Sequence, residues 1–510
     1  MNDRLTILYW IVLTLFVSSC NTAPDHNIDF ESVKLELLQD PSFGDHKELI
    51  DSAIAFYKRE LPDHYSRRVS LGSARNMVYL DELSDGQIDS IRDQLGSDTR
   101  IRIETIADSR YIEEEYLANR IRHALTSMEK YPWNQSIPDS IFLNYLLPYK
   151  VMDEYPGLWW EYLEPHYRDS MIWWSSPAFD RFDVSDSYLV ERFTTFYMGD
   201  LPEWWYYDAI AQTYTQFPSL NEILLLRYGG CQMESMINTM IQRTWGIPAT
   251  IDEVPYWGSV NGSHTVEVNW NAREGRMYGE LKLYNPEIRR RPAKVIRHCF
   301  RNTGAYTNFI APWIDGEELQ IPQMRTDHWF DVTAEHGPVM DVIFPVGDNW
   351  PDKTKLGYIY VMNYGKWVPI HYGTLQNDSL RFRSMGKDII YRVGYFANGN
   401  HQFISQPFLL DLQGEMKSSA PDPGHTVDLN ARKINHGSKA GVEPGVTYTL
   451  QYLDSDGKWL DHATEQCQQE EELWFTDVPS HAFYRLKFPT DEWNLARIFL
   501  VDDDGEQVWY

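Results

Sequence analysis

The sequence predicts a multidomain α+β protein with a helical N-terminal part, an α+β core and two β-sandwich modules at the C-terminal end. Three observations predict it. Apolar residues recur at helical spacing before residue 130, helical and strand-like segments follow one another within residues 131–315, and the last third repeats itself. At 510 residues the chain is too long for one hydrophobic core, so several domains are expected.

Residues 1–20 resemble a lipoprotein signal peptide and are expected to lie outside the fold. The apolar run Leu5 to Val17 follows Arg4, and it is too short for a permanent membrane helix. Small residues precede Cys20, as in a lipobox; an ordinary secretory signal is the alternative. Lipid on Cys20 would anchor an exported protein to a membrane of the cell envelope, either at the outer membrane or at the cell surface.

The net charge excludes some classes of binding partner, and the cysteine count indicates how many thiols can be paired. The formal net charge of -28 repels phosphate, so nucleic acid and anionic membrane surfaces are not expected partners. Once Cys20 is lipidated, Cys231, Cys299 and Cys467 remain, and an odd number leaves at least one thiol free or paired with another chain. A Cys299–Cys467 disulfide is one option, although these residues fall in different predicted domains.

Residues 21–130 are predicted to form a helical domain. The segment Asp51 to Leu61 repeats apolar residues at helical spacing until Pro62 ends it. A longer helix is predicted from Ser109 to Met128. No motif for chemistry occurs here, so this domain is expected to pack on the next one.

Residues 320–416 and 425–510 are predicted to be the two β-sandwich modules, because their sequences repeat. From Trp to Phe the spacing is 15 residues in one copy and 16 in the other, and from Phe to Tyr it is nine in both. A connector rich in Pro, Gly and Ser is predicted from Lys417 to Pro444. Such modules serve as spacers or binding accessories. The matching motifs are Gly365-Lys366-Trp367, Phe382 and Tyr391-Arg392 in the first copy, and Gly457-Lys458-Trp459, Phe475 and Tyr484-Arg485 in the second.

The core, residues 131–315, carries the residues that are expected to do chemistry. Two glycines precede Cys231, and apolar residues then repeat at helical spacing until Gly246 and Pro248. Cys231 is therefore predicted at a helix N-terminus, where unpaired N–H groups and the helix dipole favour a thiolate. A strand is predicted at 249–254, and another begins at His264, 33 residues after Cys231, where the imidazole could act as base.

These motifs resemble the transglutaminase-like superfamily, which has a papain-like fold. Gly230-Cys231, the segment Trp245 to Ala249 and the segment Gly262 to Val268 match its cysteine helix, its Gly-Ile-Pro-Ala turn and its histidine-led strand. The close resemblance covers roughly residues 220–301. More loosely, the whole arrangement is similar to transglutaminase-like lipoproteins of the Bacteroidetes type. The resemblance implies that Cys231 is a nucleophile and that His264 is its base.

The third catalytic residue of that family is an acid, usually Asp before Pro, and here the sequence departs from the pattern. The strand predicted from Arg276 to Tyr284 holds Glu280, 16 residues beyond His264. Asn285 precedes a proline but has an amide in place of a carboxylate. Glu280 is slightly favoured, Asn285 stays a candidate, and an inactive, repurposed core is a further option.

The favoured function is hydrolysis of a peptide, protein or glycan-linked amide through an acyl-enzyme on Cys231, with no cofactor and no metal. His298 and Cys299 are adjacent, but no second pair completes a zinc-binding pattern. One alternative is a true transglutaminase, which passes the acyl group to an amine. The other is a non-catalytic surface protein that binds a peptide or glycan in an inactivated cleft. Trp pairs at 159–160, 173–174 and 204–205 are interpreted as core residues first and as stacking surfaces second.

Overall fold

The structure is a computed structural model that describes residues 28–510 apart from 74–75, 85, 89, 91–99, 132–136, 166–216, 227–229, 273, 280–289, 315–317, 348–349, 352–353, 420, 436–437, 441, 455–456, 471 and 488–496. It is a mixed α+β protein with several β-sheets. Contacts divide the chain into two compact units. Unit 1 comprises Met1–Asp252, Thr265–Glu280 and His298–Asn302, and unit 2 comprises Glu253–His264, Leu281–Arg297 and Thr303–Tyr510.

The three long helices before residue 131 each bury one face in the core of unit 1, as their helical spacing predicts. Leu37, Ile50 and Ile121 are all fully buried in one cluster. In the described part of the chain, no helix is both long enough and apolar enough to cross a membrane. The described helices are α1 (Phe30–Gln39), α2 (Lys47–Glu60), α3 (Glu114–Lys130), α4 (Asp139–Ile141), α5 (Leu220–Leu226) and α6 (Cys231–Thr244).

A three-stranded antiparallel sheet interrupts the N-terminal helices. Its strands are β1 (Tyr65–Ser73), β2 (Asn76–Tyr79) and β3 (Arg100–Ala107), in the order β2-β1-β3. The prediction that residues 21–130 are helical therefore does not hold for this stretch. The physical reason is visible in β3, where Ile101 and Ile103 alternate with charged residues at the period of a strand.

A second sheet carries the strands of the predicted core. The strands β4 (Ala249–Val254), β5 (His264–Asn271), β6 (Arg276–Tyr278) and β7 (Ile296–His298) lie in the order β6-β5-β4-β7. The two strands predicted at 249–254 and from His264 are confirmed. The boundary between the units passes through the ends of β4, β5 and β7. Every residue of β4 is buried, which is typical of a central strand.

Unit 2 consists mainly of strands that follow one another through short turns. The strands of its first half, together with one short helix, are β8 (Trp329–Asp331), α7 (Thr333–His336), β9 (Val339–Pro345), β10 (Leu356–Asn363), β11 (Lys366–Gln376), β12 (Ser379–Gly386), β13 (Ile389–Ala397), β14 (Asn400–Phe403), β15 (Phe408–Leu410) and β16 (Met416–Ser418). Those of its second half are β17 (Asp422–Asn430), β18 (Lys433–Asn435), β19 (Ser438–Ala440), β20 (Thr447–Leu453), β21 (Trp459–Gln466), β22 (Trp474–Ser480), β23 (Phe483–Lys487), β24 (Phe499–Val501) and β25 (Gln507–Trp509).

The internal repeat of the sequence is confirmed in the strand order. The path β11-β10-β13-β15-β16 in the first copy corresponds to β21-β20-β23-β24-β25 in the second. Two fully buried tyrosines make the same bond in both copies. The Tyr391 hydroxyl donates to the carbonyl of Gly386 at 2.7 Å, and the Tyr484 hydroxyl donates to that of Pro479 at 2.5 Å, five residues back in each case.

The predicted connector from Lys417 to Pro444 is largely strand. Within it, β17 pairs antiparallel with β22, and β18 pairs with β19. The predicted connector is therefore corrected here, because Pro and Gly are tolerated at the irregular register of β17, which shifts between Asp422 and Thr426.

Candidate active site

The candidate nucleophile, Cys231, is the first residue of α6, as the sequence predicts. The helix is capped by Gly230, whose backbone is extended with φ -95° and ψ -169°. Glycine has no side chain, so Gly230 offers no side-chain cap to the first N–H groups of the helix, which begins at the half-buried Cys231. From Ser235 onward the whole helix is buried.

The other two described cysteines are buried and differ from Cys231 in this respect. The Cys299 thiol donates to the carbonyl of Arg301 at 3.3 Å, and the Cys467 thiol donates to that of Gln469 at 2.9 Å. Burial raises the pKa of Cys299 to about 12. All three thiols are free, so the Cys299–Cys467 disulfide is not formed. Cys20 lies outside the described residues.

The C-terminal end of α6 is fixed by its own sequence. Gly246 has φ 76°, which a residue with a side chain rarely adopts, and it allows the Ile247 N–H to reach the carbonyl of Gln242 at 2.9 Å. The buried guanidinium of Arg243 donates to the carbonyls of Ala249 and Lys150, both at 2.8 Å. The Trp-Gly-Ile-Pro turn therefore sets where β4 begins.

The strand that begins at His264 contacts the first turns of α6. The Ser235 hydroxyl donates to the Thr265 hydroxyl at 3.4 Å, and both residues belong to unit 1. Ser235 lies one turn beyond Cys231 on the same helix face, and Thr265 directly follows His264. At the other end of the strand, the Trp270 N–H donates to the carbonyl of Pro248 at 2.9 Å.

The candidate base, His264, belongs to unit 2 and is half-buried. Its ring is stacked with that of the buried Trp257, at 5.9 Å between centroids and 25° between planes. The backbone N–H of Trp257 donates to the carbonyl of Gly262 at 3.1 Å and closes the turn before the histidine. No sequence motif marks Trp257 as the neighbour of His264, since tryptophan is common throughout this core.

Both candidates for the third catalytic residue, Glu280 and Asn285, lie outside the described residues. Of the strand predicted from Arg276 to Tyr284, the structure describes only β6 (Arg276–Tyr278), which pairs with β5 through Asn269 and Tyr278. The choice between the carboxylate and the amide therefore stays a prediction.

The described Trp pair at 159–160 is part of the core. Both rings are buried, they pack edge to face at 5.1 Å, and the guanidinium of Arg120 lies 4.8 Å and 4.9 Å from their centroids. These rings present no face to a sugar. The pairs at 173–174 and 204–205 lie outside the described residues.

Within the described ranges, no group of three or more His, Cys, Asp or Glu side chains is placed to hold a metal ion. No protein-family model matches the sequence, and no curated protein matches it either.

Proposed function

We propose that this chain is an exported lipoprotein, anchored through Cys20, that hydrolyses amide bonds with Cys231 as nucleophile and His264 as base. The position of Cys231 carries the proposal. It is the least buried of the three described cysteines, and it begins a buried helix at the N-terminal end, where the helix dipole favours negative charge.

The proposed reaction has two steps. The Cys231 sulfur gives its proton to His264 and attacks the carbonyl carbon of the amide, while backbone N–H groups at the start of α6 stabilise the oxyanion. His264 then gives the proton to the leaving amine, and a thioester remains. Water, deprotonated by His264, attacks this thioester, the acid is released and Cys231 regains its proton.

The contact between Ser235 and Thr265 supports the proposed pairing of Cys231 with His264. It holds the first turns of the cysteine helix against the start of the histidine strand. Glu280 or Asn285 would orient the imidazole. The substrate class is a peptide, a protein or a glycan-linked amide.

Cleavage of a mixed peptide and amide library, followed by mass spectrometry, tests the proposal. Cys231→Ala and His264→Ala should each lose turnover by about 10³-fold or more. Cys467→Ser, which changes a buried thiol outside the site, should keep it. Cleavage that persists in Cys231→Ala overturns the nucleophile.

Two further outcomes of the same experiment identify the alternatives. A product that carries an added primary amine identifies a transglutaminase, because the amine has then replaced water as acceptor. Peptide or glycan binding without cleavage by the unmodified protein, unchanged in Cys231→Ala, identifies a non-catalytic binding protein.

A further inference from the structure

We infer that the two β modules hold the loop that leads into His264, with Arg497 and Asn363 as positioning residues for this base. The loop, residues 255–263, is called here the His264 loop. The inference rests on the proposed function only where it names His264 as base. All residues that carry it belong to unit 2.

The middle of the His264 loop is buried, which is unusual for a connection between two strands. Trp257, Ser259 and Val260 are 3%, 3% and 2% exposed. A loop outside a sheet ladder has backbone polar groups to satisfy, and each one that is buried without a partner costs about 1–3 kcal/mol. The partners that satisfy this loop come from distant parts of the sequence.

Arg497 donates three hydrogen bonds to the loop. Its side chain donates to the carbonyl of Ser259 at 3.1 Å, to the Asn261 side-chain oxygen at 3.3 Å and to the carbonyl of Gly258. It also donates to the carbonyl of Met362 at the end of β10. The guanidinium is a rigid fork of donors, so bonding on both sides fixes the loop relative to β10. Burial lowers the pKa of Arg497 to about 9, which leaves it protonated at neutral pH.

Asn363 holds the loop two residues before the histidine. Its buried amide accepts from the Gly262 N–H at 3.1 Å and donates to the Gly262 carbonyl at 3.2 Å. Next to it, the Tyr364 N–H donates to the Asn261 side-chain oxygen at 2.9 Å. Gly262 has φ 95°, so the two bonds hold a backbone conformation that favours glycine.

Close packing completes the hold on the loop. A Cβ atom on Gly258 would lie 2.4 Å from the side chain of Ile389, so β13 approaches the loop backbone directly. The Ser259 hydroxyl accepts from the Arg291 N–H at 2.8 Å. Asn363 and Ile389 lie in the predicted first module and Arg497 in the second, so both modules contribute. This differs from the spacer or accessory role that their sequences predict.

The held loop ends at His264, whose ring stacks on the loop residue Trp257. A displacement of about 1 Å at a reacting group can cost on the order of 10²-fold in rate. Loss of the Arg497 bonds should therefore move the imidazole without removing any group that touches the substrate.

The test compares Arg497→Met, Arg497→Lys and Asn363→Ala with the matched control Arg485→Met. Arg485 lies in the same module, donates to Gln451 at 2.8 Å and packs over Trp459 at 4.3 Å, and none of these belongs to the loop. The first readout is the ¹³Cε1 resonance of His264 and its pH titration, assigned with His264→Gln in histidine-labelled protein. The second is kcat and KM for a cleaved amide.

Arg497→Met and Asn363→Ala should shift the His264 resonance and lower kcat by about 10- to 100-fold with KM changed by less than about threefold. Arg497→Lys should recover part of both effects, and Arg485→Met should show neither. If Arg497→Met does not fold, Asn363→Ala and Arg497→Lys decide the outcome.

An unchanged His264 resonance in the folded variants overturns the inference, and so does an equal shift in Arg485→Met. The resonance is measured without catalysis, so the two proposals fail separately. A shifted resonance in a protein that cleaves nothing keeps the role of the modules and overturns the hydrolase. Normal cleavage with an unshifted His264 resonance in the variants keeps the hydrolase and overturns the role of the modules.

Discussion

The hydroxyl of Ser235 lies 3.4 Å from that of Thr265, and this contact joins the helix that begins at Cys231 to the strand that begins at His264. Both side chains are buried. Because Ser235 is one turn beyond Cys231 and Thr265 directly follows His264, the contact places the first turns of the helix beside the start of the strand.

A double-mutant cycle with Ser235→Ala and Thr265→Val tests whether this contact stabilises the fold. Each single change should lower the free energy of unfolding by about 1 kcal/mol, with a coupling of about 0.5 kcal/mol, since the bond is long and neutral. Urea denaturation measures all four proteins. Thr244→Ala, at the far end of α6, is the control and should be additive with Thr265→Val. Additivity of the Ser235 and Thr265 changes contradicts the role of the contact.

The two glycines that flank α6 should respond differently to alanine. Gly246 has φ 76°, so Gly246→Ala should cost about 1 kcal/mol and lower the melting temperature. Gly230 has φ -95°, and a Cβ atom there meets no atom of the described residues within 4 Å, so Gly230→Ala should lower the melting temperature less than Gly246→Ala does. Differential scanning calorimetry separates them; equal losses would show that the turn at Gly246 has no special need for glycine.

The sequence predicts the cysteine helix well because the residues that begin and end it lie next to it in the chain. Cys231 begins the apolar spacing, and Gly246 with Pro248 ends it, so no distant residue is needed. At Gly230 the backbone is extended, and within the described residues a Cβ atom there would meet no atom within 4 Å.

What sequence reasoning missed depends on contacts between distant residues. Arg497 is 233 positions beyond His264, and nothing near it in the sequence marks it as a partner of the His264 loop. The strand β3 was missed for another reason. Its alternation of Ile101 and Ile103 with charged residues is a local strand pattern, but it is short and lies between two strongly helical segments.

Glu222 should make the stability of unit 1 depend on pH. It is buried, and burial raises the pKa of its carboxyl to about 7 from the ordinary 4.5, although Arg67 lies 3.7 Å away. Because folding raises this pKa, the folded protein binds the proton more tightly than the unfolded chain does. The resulting stabilisation is fully present below pH 4.5 and is lost as the pH rises through 7. Relative to Glu222→Gln, the unmodified protein should lose about 1–3 kcal/mol of unfolding free energy over this range.

Urea denaturation at several values between pH 4.5 and pH 8 measures this difference. Glu115→Gln, at an exposed site on α3, is the matched control for the change of charge alone. A constant difference between the unmodified protein and Glu222→Gln across this range would show that the carboxyl is not protonated by burial.

The most direct test of the central claim is the rate at which iodoacetamide alkylates Cys231 in the folded protein at pH 6, followed by mass spectrometry of the digested chain. Cys299 and Cys467 are internal controls and should stay unmodified, because both are buried and burial raises the pKa of Cys299 to about 12. Cys231 should react at least about tenfold faster than the same cysteine in a short unstructured peptide, and His264→Gln should slow it. A rate equal to or below that of the peptide contradicts the assignment of Cys231 as an activated nucleophile.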